Sequence, residues 1–166
     1  QDQSKQEIGR DGMDWVGDLM LEAHIETSND SSEMMLELVE AGVKYRCRID
    51  LLTGQATLEI DDIEPREFDP AEDGSVGVPT AKTSITNGGS HELRFSNCDD
   101  QLLLWVNDSV VEFDRPTTFD AREFRTDEED HPMYLDDHPL DAAPAGLAVR
   151  GGDATVTSLR IHRDKY

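Results

Sequence analysis

The chain reads as an all-β protein built as an antiparallel jelly-roll sandwich, and three observations predict it. Short runs of alternating apolar and polar residues recur along its length. The clearest sets Val43, Tyr45, Cys47, Ile49 and Leu51 against Lys44, Arg46, Arg48 and Asp50, the period-two pattern of a half-buried strand. Turn-forming pairs such as Thr53-Gly54 and Asn107-Asp108 punctuate these runs, because their residues tolerate the backbone angles of tight turns. Helical patterning is almost absent, so nine or ten short strands are expected.

The elements follow in order. Residues 1–12 are polar and read as a lead-in to one sandwich domain spanning 13–166. A first strand over 15–26 turns Leu19, Leu21, Ala23 and Ile25 to one side and Asp18, Glu22, His24 and Glu26 to the other. Segment 33–40 has a helix-favouring composition, with Ser31 or Ser32 as cap and Gly42 as stop. Yet Met34, Leu36 and Leu38 alternate, an isolated helix of this length is marginal, and a meander needs a strand there. Strand is therefore expected. Strands over 43–52 and 55–60 come next, the second with Ala56, Leu58 and Ile60 inward. After an acidic loop at about 61–80, Ala81, Thr83 and Ile85 mark a short strand. Segment 91–114 supplies Leu93 and Phe95, the run Leu102 to Val106, the Asn107-Asp108 turn, and then Val110, Val111 and Phe113. A second loop covers about 115–144 with Pro116, Pro132, Pro139 and Pro144; loops of that length are often functional or interfacial. Segments 146–150 and 155–162 are expected to pair, with Val156, Leu159 and Ile161 as the main apolar residues of the last strand.

Composition limits the function. The formal net charge is −22 over 166 residues, which argues against nucleic acid as a direct partner, since phosphate binding needs a basic surface. An anionic membrane would repel the chain as well. Seven acids fall in 61–73 and nine in 120–141, so the charge is concentrated in loops, where it solvates the surface. No apolar run is long enough to span a bilayer, and no basic start precedes an apolar stretch, so neither membrane insertion nor a signal peptide is expected. The first residue is Gln, which reads as a piece of a longer protein. Two cysteines are too few for a disulfide framework; Cys47 shares parity with the core side chains, and Cys98 sits at a turn.

Candidate sites are few. Asp99, Asp100 and Asp108 could supply oxygen ligands for Ca²⁺, although the chain has no D-x-D-x-D-G loop; no other cofactor is implied. His131 and His138 do not have a zinc-ligand spacing, and His24, His91 and His162 are expected on solvent faces. Trp15 and Trp105 read as core anchors rather than sugar platforms, each lying in an apolar strand.

Two resemblances rest on particular residues. Trp15-Val16-Gly17-Asp18-Leu19, Leu93-Arg94-Phe95, Leu103-Leu104-Trp105-Val106-Asn107 with Val110-Val111, and Gly146-Leu147-Ala148-Val149 together resemble the concanavalin A-like lectin and glucanase sandwich. More narrowly, Trp15 to Glu22, Tyr45 to Asp50, Arg94 to Val106 and Leu159 to Tyr166 resemble an accessory domain found within planctomycete-type signal peptidase I sequences. That second resemblance implies a membrane-anchored parent with a Ser/Lys dyad that removes signal peptides on the extracytoplasmic side of the cytoplasmic membrane. It carries no catalytic residue onto this chain, which has no Ser-Met-Pro motif and no lysine in a comparable setting.

Within the wider sandwich class, Glu59-Ile60-Asp61-Asp62-Ile63-Glu64 matches the E-x-D-x-x-E spacing of laminarinase-like glucanases. There one carboxylate attacks the sugar and another acts as acid/base. In a chain so rich in acids, a strand end running into an acidic loop gives the same pattern. The function expected is that of a non-catalytic accessory module that binds or spaces. Its partners would be the rest of the parent, a cell-envelope protein or a glycan. A lectin-like carbohydrate-binding module is the alternative, and a glucanase using Glu59, Asp61 and Glu64 the least favoured.

Overall fold

A computed structural model describes residues 18–61, 65–123 and 139–163, with the side chains of residues 65 and 66 excepted. Eleven strands appear among these residues: β1 (Leu19–Thr27), β2 (Glu33–Glu40), β3 (Val43–Asp50), β4 (Gln55–Asp61), β5 (Pro65–Arg66), β6 (Thr80–Lys82), β7 (Ser90–Cys98), β8 (Gln101–Val106), β9 (Ser109–Val110), β10 (Ala145–Arg150) and β11 (Ala154–Arg163). They form two antiparallel sheets. One has the order β11-β1-β7-β8-β9; the other runs β10-β2-β3-β4-β5, with β6 also pairing β4. The protein is therefore an all-β sandwich of jelly-roll type, and segment 33–40 is a strand, as its alternation predicts.

Hairpin chemistry explains the tight connections. Ala41-Gly42, Asp99-Asp100 and Asn107-Asp108 each join two strands with both residues at positive φ, the backbone of a type I′ turn, whose twist matches that of the flanking strands. Between the sheets lie Leu21, Ile25, Met34, Leu36, Tyr45, Cys47, Ile49, Leu58, Phe95 and Leu104, all essentially sealed from water. Each large side chain of this set gains about 1.5–3 kcal/mol from burial, so the interior face of every long central strand contributes. The two loops also reach the core. Phe68 and Phe119 are buried, and Phe119 stacks on Tyr45 at 5.4 Å between ring centroids, closing one end of the sandwich.

Several expectations change. Segments 146–150 and 155–162 do not pair with each other: β10 joins β2, and β11 joins β1 in the opposite sheet. The cause is a second crossing beside the first. Just as residues 28–32 carry the chain from β1 to β2, residues 151–153 carry it from β10 to β11. The two corners bond directly, Ser28 N–H to Asp153 O at 2.9 Å and Ser32 N–H to Arg150 O at 2.8 Å. A Cβ on Gly152 would stand 2.7 Å from the Ser31 nitrogen, so the corners meet only because glycine is there. Consequently β1 and β2 are not neighbours in one meander. The first strand begins at Leu19, and residues 15–17, including Trp15, lie outside the described residues. Ser109–Val110 is shorter than the expected 110–113 strand, and β5 is an added pair of residues.

Five side chains also depart from expectation. Trp105 faces outward on β8, because parity places Leu102, Leu104 and Val106 in the core instead. His91 is buried on the inward side of β7, with Nε2 3.1 Å from the Thr86 carbonyl oxygen. Val156, Leu159 and Ile161 remain 42%, 56% and 48% exposed, since among the described residues β11 stands at the edge of its sheet. Cys47 is a fully buried free thiol, so no bond to Cys98 forms.

Candidate functional site: the outer face of the six-stranded sheet

The inward residues of β2, β3 and β4 are apolar, so their alternate positions point to the opposite face. Register then assembles a charged ladder. Arg46 lies opposite Glu37 on β2 and Glu59 on β4, while Lys44 lies opposite Asp61. Two guanidiniums two residues apart on β3 share this face, as period-two geometry requires. Arg46 donates from Nε to Glu37 at 2.7 Å and from Nη1 to Asp61 at 2.5 Å. Arg48 donates from Nε to Glu59 at 2.9 Å and lies 3.6 Å from Glu33.

Arg46 is the better enclosed of the two, its side chain 16% exposed against 34% for Arg48. Burial works to lower the Arg46 pKa, but hydrogen bonds and charge from Glu37 and Asp61 more than offset it, and the guanidinium ends above its ordinary value. Open pairs of this kind are worth about 0–1 kcal/mol each. Their chief effect is geometric: they hold fixed guanidinium donors beside carboxylate acceptors across three strands, with edges still open to water. Such a lattice suits a ligand that presents donors and acceptors side by side, as sugar hydroxyls do.

Glu59 and Asp61 are both on this face, each engaged by an arginine, and Glu64 lies outside the described residues. The three carboxylates proposed for calcium are not brought together. Asp99 and Asp100 form the β7–β8 turn, whereas Asp108 belongs to the β8–β9 turn, roughly 20 Å away along a six-residue strand. Asp100 accepts the Ala121 N–H at 3.3 Å, and Asp108 accepts from Arg94 at 2.7 Å. Among the described residues no group of three or more His, Cys, Asp or Glu side chains is placed to hold a metal. His131 and His138 fall outside those residues.

A second, looser charged cluster occupies the outer face of the other sheet. Arg94 contacts Glu22, Glu92 and Asp108, and Arg160 contacts Glu22. Half-buried Trp105 stands opposite Arg94 there.

Sequence reasoning missed Arg46, Arg48, Glu37 and Glu33 as site residues. Their alternation is plain in the chain, but only the register places opposite charges side by side.

No family model and no curated protein matches the chain. Solved structures do. Sheep galectin-11 in complex with glycerol is 16% identical, with a TM-score of 0.51 over 89% of this chain and 92% of that one. Caenorhabditis elegans galectin LEC-6 is 11% identical, with a TM-score of 0.53 over 89% and 84%. The carbohydrate binding module CBM66 from Bacillus subtilis is 14% identical, with a TM-score of 0.51 over 87% and 74%. At these identities the likeness establishes the fold, a concanavalin A-like sandwich. Nothing in the comparisons links the chain to signal peptidase I.

Proposed function

We propose that this sandwich is a non-catalytic, lectin-like carbohydrate-binding module whose contact surface is the outer face of β2, β3 and β4. The observation that carries the reading is the ladder of Arg46 and Arg48 held among Glu37, Asp61, Glu59 and Glu33. The galectin and carbohydrate-binding-module neighbours support it at the level of fold. The cross-strand pairs set donors and acceptors before a ligand arrives, which lowers the ordering cost of binding. The partner is then a glycan, and no cofactor is needed. Attachment to a signal peptidase-like parent on the extracytoplasmic side of the membrane rests on the sequence resemblance alone.

A glycan array probed with the labelled chain tests the proposal, followed by calorimetry on the best hit. Arg46→Ala and Arg48→Ala should each weaken that hit at least tenfold, with the fold retained by circular dichroism. Silence across the array would overturn the lectin reading. A hit that both variants keep but Trp105→Ala loses would move the site to the other sheet.

A further inference from the structure

The exposed edge of the five-stranded sheet has chemistry of its own. Strand β11 is paired with β1 on one side, and among the described residues no strand pairs its other side. Its ten residues (ATVTSLRIHR) contain no acid, in a chain of net charge −22. Leu159 and Ile161, opposite inward-facing Ala23 and Leu21 on β1, stay half exposed. Arg160 and His162 lie opposite Glu22 and Met20 on the outer side. The Arg160 side chain is 67% exposed, although Glu22 lies 3.2 Å from it on the β1 side.

A long open strand with exposed apolar side chains is a template for another strand. A second copy of the chain fits badly. Antiparallel self-pairing centred on Arg160 opposes two guanidiniums, and centring on Ile161 sets Arg160 against His162, like charges directly opposite when the histidine is protonated. Centring on Leu159 sets Ile161 against Thr157, the residue left without a β1 partner where the register shifts at His24/Ile25, and a bulge disrupts regular pairing. Registers one residue off oppose inward and outward side chains. We infer that residues Ser158–Arg163 form a docking edge for an extended peptide segment of a partner protein in which apolar and acidic residues alternate. Its apolar residues would cover Leu159 and Ile161, and its acids would face Arg160 and His162. The Debye length of about 8 Å at physiological salt lets this local basic edge act despite the acidic whole.

A blocked peptide alternating Val and Glu is the probe, with an alternating Val and Lys peptide as its counterpart. The acidic peptide should bind and slow hydrogen exchange at the amides of Ser158–Arg163, and Arg160→Glu should weaken it at least tenfold. The lysine peptide should not bind. Failure of the acidic peptide to protect these amides, or equal binding of the two peptides, overturns the inference. So does a dimer in sedimentation that Ile161→Glu abolishes, because the edge would then belong to a second copy.

Discussion

Asn97 on β7 donates from Nδ2 to the Glu40 carboxylate on β2 at 2.5 Å, joining the two sheets through their interior. Both residues are almost fully buried, at 3% and 4% exposure. A buried carboxylate that loses one donor is destabilised, because that donor's share of the offset to desolvation is gone. Asn97→Ala is therefore expected to destabilise the fold by about 1–3 kcal/mol, read as a lower urea midpoint. A double-mutant cycle with Glu40→Ala should give a coupling above about 0.5 kcal/mol. Additive effects would show that the contact does not join the sheets energetically.

Asp141 holds the β2–β3 turn from a distance of a hundred residues in sequence. One carboxylate oxygen accepts the Ala41 N–H and the other the Gly42 N–H, both at 2.8 Å. Ala41 has φ of 48°, a conformation a non-glycine residue adopts only when its surroundings favour it. Asp141→Ala should cost about 2 kcal/mol and speed hydrogen exchange at Ala41 and Gly42 more than at β3. Unchanged exchange at those two amides would refute the clasp.

Acid sensitivity has an identifiable contributor in Asp50. Hydrogen bonds from the backbone N–H groups of Thr53 and Leu52 hold its carboxyl below the usual aspartate range. A pKa depressed in the folded state gives stability that is fully present above the unfolded value, near pH 3.9, and lost as the pH falls through the folded value. Asp50→Asn should therefore melt lower than the parent at neutral pH, with the gap closing below about pH 4. A gap that stays constant down to strong acid would remove this assignment.

Most strands are legible from period two, since β3 and β4 keep their apolar residues on one parity and the buried residues of β1 alternate. The partners of the strands are not. Segments 146–150 and 155–162 look like a hairpin because a glycine pair separates them, yet that pair serves a crossing between sheets, which local sequence does not distinguish from a turn. Trp105 fails for a related reason. In Leu102-Leu103-Leu104-Trp105-Val106 every residue is apolar, so parity is hidden until Phe95 and Leu104 are seen to be partners. Segment 115–144 reads as solvent loop because proline and acid dominate it, while Thr117, Phe119 and Ala121 plug the core. The charged ladder needs the register of three strands at once, which no single segment carries.

The joined corners at Ser28–Ser32 and Arg150–Asp153 have a kinetic consequence. Strands β10 and β11 complete both sheets, and their partners β1 and β2 lie more than a hundred residues earlier. Contacts of such high sequence separation slow folding, because a long loop must close before either edge is rewarded. During synthesis, β1 and β2 wait with open edges until residues 145–163 emerge, so each newborn chain passes through a stage prone to strand exchange. Folding of this sandwich is in effect a zip drawn last at one corner, and Gly152 sets how tightly it shuts.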